Sequence, residues 1–315
     1  MRISDWAAPT TPRIAVLMAT YNGRRWLPEQ VESILSQTAV DVRIIALDDG
    51  STDGTAQWLR EFADGEPRLS VLELKGRAGS AGANFYRLVS HAPITADELV
   101  AFSDQDDIWV AGKLARHAGL IAERGVDGVS SDVTSFTPGG ERTLVRKAFP
   151  QSDFDYLMES PGPGSTFLMT PRLFALTREV LADPDGPAHS VDFHDSLIYA
   201  IGRARGWAWC IDGVSSVEYR QHGANVLGAN VGLASAFERL RLIRSHWLRD
   251  HATQLTRVAI GVAPDGSRAE FERILGLLTG RGIRIRWALA RMAPRLRRRR
   301  RDQRIIAFFI VIGIW

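Results

Sequence analysis

Residues 14–54 read IAVLMATYNGRRWLPEQVESILSQTAVDVRIIALDDGSTDG, and their pattern of apolar residues indicates the fold class. The stretch contains a continuous apolar run, Ile14–Thr20, and a mainly apolar one, Val42–Leu47, and both are typical of strands buried on both faces of a sheet. Apolar residues recur at helical spacing between the two runs, from about residue 24 to residue 37. Two buried strands joined by an amphipathic helix are the repeating unit of a parallel α/β sheet.

Strand and helix continue to alternate after this stretch. The next predicted strands are 69–74 and 99–103, and the next predicted helices are 51–62, 80–91 and 110–124. The second half is less regular, with predicted strands at 165–170, 207–211 and 216–219, predicted helices at 171–181 and 192–205, and helical sequence beyond residue 234. The alternation in the first half predicts an α/β fold with a mainly parallel central sheet and flanking helices.

The composition is that of a globular protein with a basic tail. The 315 residues are 45% hydrophobic and 24% charged, which excludes a disordered chain. Residues 1–280 carry 28 basic and 35 acidic groups, whereas the chain from Arg281 onward carries 11 arginines and one acid, Asp302. The single cysteine, Cys210, excludes a disulfide framework, and residues 1–13 contain no apolar signal segment. These two observations predict a cytoplasmic protein.

Polar residues follow three of the predicted strands at the point where each strand ends. They are Thr20-Tyr21-Asn22, Asp48-Asp49 and the cluster Asp104–Asp107. Ligands of parallel α/β sheets bind beyond the carboxyl ends of the strands, so these side chains are candidates for one site. Crowded carboxylates favour a bound cation, and Mg²⁺ or Mn²⁺ accepts such oxygen ligands. Helix capping is the alternative explanation for both acidic clusters.

Three motifs in this half carry a family resemblance. They are ATYNGRRWLPEQVESILSQT (19–38), ALDDGSTDGT (46–55) and AFSDQDDIWVAGKL (101–114). Their order and spacing resemble the nucleotide-binding half of glycosyltransferase family 2, which has the Rossmann-like GT-A fold. The string SDQDDIW is most similar to the rhamnosyltransferase-like branch, which builds cell-surface glycans.

The resemblance implies a role for each matching position. The residues that would line the nucleotide site are Thr20, Tyr21, Asn22, Asp48, Asp49, Asn84 and Asp104. Asp48 or Asp49 would hold the pyrimidine ring, and Asp104 would approach the ribose. Asp106 would bind the metal that bridges the diphosphate. Asn84 could equally be an ordinary helix residue.

Further matches lie in the second half of the chain. Asp195, in Phe193-His194-Asp195, would be the general base that deprotonates the acceptor hydroxyl, although a carboxylate there could simply stabilise a helix N-terminus. Ser196-Leu197 follows where many relatives have tryptophans, which leaves the acceptor class open. In the segment YRQHGAN (219–225), His222 would be a metal ligand or a diphosphate contact. The turn PGPGST (161–166) could approach a sugar closely or simply link two regions.

The implied reaction is the inverting, metal-dependent transfer of a sugar from dTDP-rhamnose or a UDP-sugar to a glycan or a lipid-linked acceptor. The chain would then comprise an N-terminal extension (1–13), a nucleotide-sugar-binding half (14–125), an acceptor-binding and catalytic half (126–233) and a helical C-terminal region (234–315). A nucleotidyltransferase and a non-catalytic membrane-associated scaffold are the alternatives. A dehydrogenase is disfavoured because residues 20–25 lack the dinucleotide-binding glycines.

The tail combines charge with apolar sequence. Residues 295–304 contain seven arginines, and residues 305–315 read IIAFFIVIGIW. Eleven residues are too few to cross a bilayer, so we expect an interfacial anchor on anionic lipid at the inner face of the plasma membrane, with Trp315 at the headgroups. A terminal core helix, a homo-oligomer contact and a truncated transmembrane helix are the alternatives. No aromatic residue interleaves the arginine run, which argues against a nucleic-acid partner.

Overall fold

The computed structural model describes residues 11–221 and 246–315. These residues form two compact units that are discontinuous in sequence. The α/β unit comprises residues 11–148, 162–184 and 208–221, and the helical unit comprises residues 149–161, 185–207 and 246–315. The functional divisions predicted at residues 125 and 233 remain predictions.

The α/β unit is built on a seven-stranded sheet. The strands of the α/β unit form this sheet and a second one. In chain order they are β1 (Arg13–Thr20), β2 (Asp41–Asp48), β3 (Leu69–Val71), β4 (Leu99–Ser103), β5 (Ile108–Trp109), β6 (Gly128–Ser131), β7 (Val133–Phe136), β8 (Arg142–Val145), β9 (Leu168–Met169), β10 (Trp209–Asp212) and β11 (Val217–Arg220). The sheet order is β10-β6-β9-β4-β1-β2-β3, and β9 runs antiparallel to both of its neighbours. The predicted α/β fold is confirmed, with a mixed rather than wholly parallel sheet.

The α/β unit also contains α-helices. They are α1 (Leu27–Leu35), α2 (Thr55–Gly65), α3 (Ala81–His91), α4 (Lys113–Arg124) and α5 (Pro171–Leu181). Every residue of Ile14–Thr20 is buried, as the continuous apolar run predicts. Leu27, Val31 and Ile34 form the buried stripe of α1 in the same hydrophobic core. This core holds the carboxyl ends of β4, β1 and β2 side by side.

A second, four-stranded sheet was missed by the sequence analysis. Its order is β5-β11-β7-β8, and β5 has only two residues. The predicted strand at 165–170 is also largely wrong, because Gly164–Thr166 forms a 3-10 turn and only Leu168–Met169 pairs in the sheet. The Ser165 carbonyl accepts a hydrogen bond from the Lys113 ammonium group, which a local pattern of apolar residues cannot reveal.

The helical unit contains α6 (His194–Ala204), α7 (Trp247–Val262), α8 (Asp265–Thr279), α9 (Ile283–Ala290), α10 (Ala293–Leu296) and α11 (Arg300–Ile312). The helical character predicted beyond residue 234 is therefore confirmed for residues 246–315. In the described parts of the chain, no helix has the length and apolar character needed to cross a membrane.

The C-terminal tail differs from the sequence-based expectation in one respect. Trp315 is buried, with 3% of its surface exposed. Its carbonyl oxygen lies 2.7 Å from His246 Nδ1, and the Arg249 guanidinium carbon lies 5.9 Å from its ring centroid. The expectation that Trp315 lies at lipid headgroups is therefore wrong, because the indole is packed inside the helical unit.

Candidate active site

The polar ends of three strands meet at one edge of the sheet. β1 lies between β4 and β2, and all three strands are parallel. The register places Thr20 opposite Asp48, and Met18 opposite Ser103 at the end of β4. Thr20 Oγ1 donates a hydrogen bond to Asp48 Oδ1 over 2.9 Å. The structure thus brings together the strand-end residues that the sequence analysis assigned to one site.

Asp48 organises the turn that follows β2. Its Oδ2 accepts hydrogen bonds from Gly50 N at 3.1 Å and Ser51 N at 2.8 Å. Its Oδ1 accepts from Thr20 Oγ1 and, over 2.5 Å, from Ser51 Oγ. A carboxylate offers about four acceptor positions, so the hydrogen bonds that Asp48 accepts within the protein occupy these positions. Its predicted contact with a pyrimidine stays a prediction.

Asp49 is buried and connects the turn after β2 to the loop before α3. Its carboxylate accepts hydrogen bonds from Gly79 N at 2.8 Å and from Ala78 N, and Arg87 Nη1 lies 3.6 Å from it. Its backbone carbonyl accepts from Arg77 Nε over 2.8 Å. Asp49 therefore fixes the backbone around the site, and its role toward a base also stays a prediction.

An exposed aromatic residue and an arginine flank these turns. The Tyr21 side chain is 45% exposed, and the Arg77 guanidinium carbon lies 4.7 Å from its ring centroid. A planar pair of this kind offers a stacking surface and a positive charge beside the strand ends. The sequence analysis missed Arg77, because nothing in the local pattern distinguishes it from other loop arginines.

The loops after β1 and β4 are joined by a reciprocal pair of hydrogen bonds. Gln105 Oε1 accepts from Tyr21 N at 2.7 Å, and Gln105 Nε2 donates to Tyr21 O at 2.8 Å. Asn22 Oδ1 accepts from Thr52 N at 2.8 Å and so connects the first loop to the turn after β2. A side chain on Gly23 would collide with Gln105, since its Cβ would lie 2.1 Å from the amide oxygen. These bonds make the three strand-end loops one rigid edge.

Asn84 lies in α3 with its side chain buried against β2. Its Nδ2 donates to the Leu47 carbonyl over 3.0 Å, and its Oδ1 has no hydrogen-bond partner among the described residues. Its predicted contact with the nucleotide is untested by this geometry.

The acidic loop after β4 places one carboxylate in the protein interior. Asp104 and Asp106 are half-buried, whereas Asp107 is 1% exposed. Burial raises the pKa of Asp107 well above its usual range, and the charges of Asp106 and Asp104 raise it further. Arg220 of β11 supports the loop through its backbone N–H to Asp107 Oδ1 at 3.3 Å and its Nε to the Asp106 carbonyl at 2.9 Å.

A buried lysine lies behind the acidic loop. Lys113, at the start of α4, is 2% exposed, and its Nζ lies 3.1 Å from the Trp109 ring centroid. Nζ also donates to the Ser165 carbonyl oxygen. Burial lowers the pKa of Lys113 well below its usual range, and the nearby carboxylates of Asp107 and Asp104 oppose that shift. The sequence analysis missed this residue because lysine is normally a surface residue.

The acidic loop has the donor chemistry for a hard divalent cation. Mg²⁺ is commonly bound through one or two carboxylates, with substrate phosphates and water completing its coordination. Asp106 is half-buried in the loop, and Asp107 Oδ2 has no hydrogen-bond partner among the described residues. These oxygens fit such an ion. No group of three or more His, Cys, Asp or Glu side chains suited to a metal occurs within residues 11–221 and 246–315, and the other predicted ligand, His222, lies outside the described residues.

Asp195 lies in the first turn of α6, within the helical unit. Its Oδ2 accepts a hydrogen bond from Ser160 Oγ at 2.8 Å, and its Oδ1 accepts from Ser196 N at 2.6 Å. The neighbouring His194 is buried, and burial lowers its pKa to about 4. His194 is therefore neutral at physiological pH.

Aromatic side chains surround the start of α6. The Phe193 and Trp247 ring centroids are 5.7 Å apart, and Trp247 stacks on His251 at 4.8 Å. Trp247 Nε1 donates to Asp192 Oδ2 over 3.0 Å. α7 thus brings a tryptophan to the start of α6 from a distant position in the sequence.

The comparisons with known proteins agree with this architecture. The fold is shared with TarS 1-349 of S. aureus in complex with UDP-GlcNAc, at a TM-score of 0.55 and 16% identity over 96% of this chain and 90% of that chain. It is also shared with the mannosyltransferase PcManGT from Pyrobaculum calidifontis in complex with GDP-Man and Mn²⁺, at a TM-score of 0.51 and 20% identity over 98% of this chain and 84% of that chain. The α/β fold is therefore of the GT-A type.

The sequence relatives narrow this class. The chain is 32% identical over 299 residues to the dTDP-rhamnosyl transferase RfbG of Shigella flexneri, a match that spans 95% of this chain and 100% of the relative. It is 30% identical over 149 residues to a putative teichuronic acid biosynthesis glycosyltransferase, TuaG, of Bacillus subtilis, which covers 47% of this chain and 54% of that protein. Residues 15–183 match Glycosyl transferase family 2, and the chain belongs to that family. The predicted resemblance to rhamnosyltransferases is confirmed.

Proposed function

We propose that this glycosyltransferase moves rhamnose from dTDP-rhamnose to a hydroxyl group of a glycan or lipid-linked acceptor, with inversion at the anomeric carbon, in the synthesis of a cell-surface polysaccharide. The observation that carries the proposal is the match to a dTDP-rhamnosyl transferase along that relative's whole length. The strand-end site supports it with an exposed aromatic ring, an arginine and an acidic loop at one edge of the sheet.

The proposed chemistry is a single displacement. The acceptor oxygen attacks the anomeric carbon as the bond from that carbon to the diphosphate oxygen breaks, and Asp195 takes the proton of the attacking hydroxyl. Asp106, together with His222, would hold a divalent cation, which supplies neutralisation of the charge that develops on the leaving diphosphate. Arg220 and Gln105 keep the acidic loop in place through their bonds to its backbone and to Tyr21. The released product is a nucleoside diphosphate.

Replacing Asp106 by asparagine should remove the metal-dependent part of donor binding. A donor at 100 times its dissociation constant stabilises the folded protein by about 2.7 kcal/mol, which thermal unfolding detects readily. The measurement compares dTDP-rhamnose, UDP-sugars and dTDP, each with and without Mn²⁺. We expect dTDP-rhamnose with Mn²⁺ to give the largest shift for the wild type and a much smaller one for Asp106→Asn.

The control for this experiment is Asp64→Asn, at the exposed end of α2, which removes one carboxylate and should leave the shift unchanged. A larger shift with a UDP-sugar would replace the proposed donor. Release of pyrophosphate would instead identify a nucleotidyltransferase, and binding of dTDP-rhamnose without any turnover would identify a scaffold.

We further propose that one face of the helical unit rests on anionic lipid at the inner surface of the plasma membrane. Ile305, Phe308 and Ile312 lie three and four residues apart along α11 and are 40%, 60% and 41% exposed. On α9, Ile283 and Trp287 are 58% and 50% exposed. Exposed arginines line a nearby cleft of about 420 Å³, together with small apolar residues; they are Arg291, Arg300 and Arg304. Apolar side chains flanked by arginines are suited to the interface of an anionic bilayer.

The double variant Trp287→Ser/Phe308→Ser should lose binding to vesicles that contain phosphatidylglycerol. Burying a large apolar side chain contributes roughly 1.5–3 kcal/mol, so removing two should lower partitioning by at least tenfold. Flotation at low salt measures the bound fraction, and high salt should reduce it because the arginines are screened. The matched control is Leu144→Ser/Val214→Ser, which removes two side chains that are 52% and 49% exposed in the α/β unit. Failure of the wild type to float at low salt would disprove the membrane contact.

A further inference from the structure

Several arginines of the C-terminal run are used inside the helical unit. Arg295 pairs with Asp153 over 2.9 Å and with Glu270 over 2.9 Å. Arg297 Nη1 donates to the Met158 carbonyl at 2.8 Å and lies 3.3 Å from Glu159. The run therefore binds the segment at residues 152–160, as well as contributing to the exposed face described above.

Arg298 is the most buried of these arginines, with 4% of its side chain exposed. Its Nε donates to Glu159 Oε2 at 2.8 Å, and its backbone N–H donates to the same oxygen at 3.1 Å. Its Nη2 donates to the Ser160 carbonyl oxygen at 2.6 Å. Two adjacent residues of the segment are thus held by a single planar guanidinium group, in a geometry that lysine cannot reproduce.

A second, buried carboxylate also lies beside the Arg298 guanidinium group. Asp155 is fully buried and lies 3.5 Å from Arg298 Nε. It also accepts a hydrogen bond from Tyr199 Oη at 2.9 Å and lies 3.3 Å from Arg203 Nη1, both on α6. Burial raises the pKa of Asp155, and the two guanidinium groups oppose that shift. The network therefore ties Arg298 to the same helix that carries Asp195.

Ser160 is the residue through which this network reaches Asp195. The carbonyl of Ser160 accepts from Arg298, and its hydroxyl donates to Asp195 Oδ2 over 2.8 Å. Rotation of the Asp195 carboxylate is therefore restricted, because its other oxygen, Oδ1, accepts a hydrogen bond from Ser196 N. A general base gains from being held in a single orientation, since misplacement of about 1 Å can cost a hundredfold in rate.

We propose that Arg298 is a positioning residue for the general base, acting through Ser160 on the orientation of the Asp195 carboxylate. The inference rests on the proposed role of Asp195. It assigns part of the C-terminal basic run to catalysis, in addition to the membrane contact proposed for its exposed arginines.

The test is a set of single and double variants in the full-length protein. Ser160→Ala removes the hydroxyl that holds Asp195, and Arg298→Gln removes the guanidinium group that holds Ser160. Each should lower kcat by roughly 10- to 100-fold without changing KM for dTDP-rhamnose. Release of dTDP with the best acceptor from a panel of lipid-linked saccharides provides the rate. The kcat–pH profile of both variants should differ from that of the wild type, because the proposed base is held differently in each of them.

Two comparisons separate positioning from general loss of structure. Arg295→Gln removes the same charge from the same run, but its partners are Asp153 and Glu270, so kcat and the pH profile should stay at the wild-type values. The double variant Ser160→Ala/Arg298→Gln should be no slower than the slower single variant, because both changes interrupt one chain of contacts. Arg298→Lys should recover only part of the rate.

A folded Arg298→Gln enzyme with wild-type kcat would overturn the inference. It would also be overturned if the rate losses of Ser160→Ala and Arg298→Gln multiplied in the double variant. If Arg298→Gln fails to fold, an unchanged kcat and pH profile in Ser160→Ala would overturn it as well. These outcomes are distinct from failure of the proposed function, which would show as activity retained by Asp195→Asn. Loss of activity in Asp195→Asn with full activity in Ser160→Ala would remove only the inference about Arg298.

Discussion

Replacing Asp195 by asparagine should lower kcat by roughly 10²–10⁴-fold, which is the usual effect of losing a general base. Asparagine has nearly the same shape, and its amide oxygen can still accept the hydrogen bond from Ser160 that the structure shows at 2.8 Å. It cannot take up a proton from the acceptor hydroxyl at neutral pH. Donor binding should survive, because the predicted nucleotide-binding residues lie in the α/β unit, whereas Asp195 belongs to the helical unit. The measurement is the rate of dTDP release beside the thermal shift with dTDP-rhamnose.

Asp192→Asn is the matched control for this experiment. Asp192 lies three residues before Asp195, is exposed, and accepts a hydrogen bond from Trp247 Nε1 at 3.0 Å. Removing its charge should change kcat far less than the same change at Asp195. An Asp195→Asn enzyme with nearly full activity would refute the assignment of the base and the single-displacement mechanism built on it.

Replacing Lys113 by methionine should lower the free energy of unfolding by about 1–3 kcal/mol, the usual cost of leaving a buried polar group without its hydrogen-bond partner. Methionine keeps much of the aliphatic contact with Trp109, so packing alone predicts a small change. The ammonium group donates to the Ser165 carbonyl and attracts the buried Asp107 carboxylate. Without the ammonium group, the Ser165 carbonyl and the Asp107 carboxylate remain buried and lose the group with which they interact. Urea unfolding monitored by tryptophan fluorescence measures the difference.

Two companion variants decide whether charge is the cause. Lys75→Met, at an exposed loop position, should change stability by less than about 0.5 kcal/mol. The double variant Lys113→Met/Asp107→Asn should lose less stability than the two single variants added together. Once one of the two groups is gone, removing the other no longer leaves a buried partner behind. Wild-type stability in Lys113→Met would show that the ammonium group has no part in holding the acidic loop.

Much of the α/β framework follows from local sequence. The mainly apolar runs at 14–20, 42–47 and 99–103 all became parallel strands of the sheet, and Ser80 caps α3 through a hydrogen bond from Ala83 N at 3.2 Å. Because parallel strands end at one edge, the position of the acidic clusters could be predicted as well. The C-terminal helices also follow from local pattern, whereas the burial of Trp315 does not, since its partners His246 and Arg249 lie far away in sequence.

The polar partners inside the site were beyond prediction for the same reason. The sequence predicts that Asp48 or Asp49 contacts a pyrimidine, and it does not indicate that each carboxylate is hydrogen-bonded to a turn or loop of the chain. Nothing near Lys113 in sequence indicates that Ser165, on another element, provides its acceptor. Such pairs depend on which segments return to the same place, and the sequence of one segment carries little information about that.

The α/β class, the family and the acidic residues at the strand ends follow from the sequence alone, because apolar periodicity and short motifs are properties of neighbouring residues. The folded chain was needed to show that β9 runs antiparallel, that Lys113 is buried behind the acidic loop, and that Arg298 supports Ser160 beside Asp195. Those arrangements join residues up to 138 positions apart. Their free energy comes from satisfying buried charges and carbonyl groups, which can be assessed only when both partners are in place.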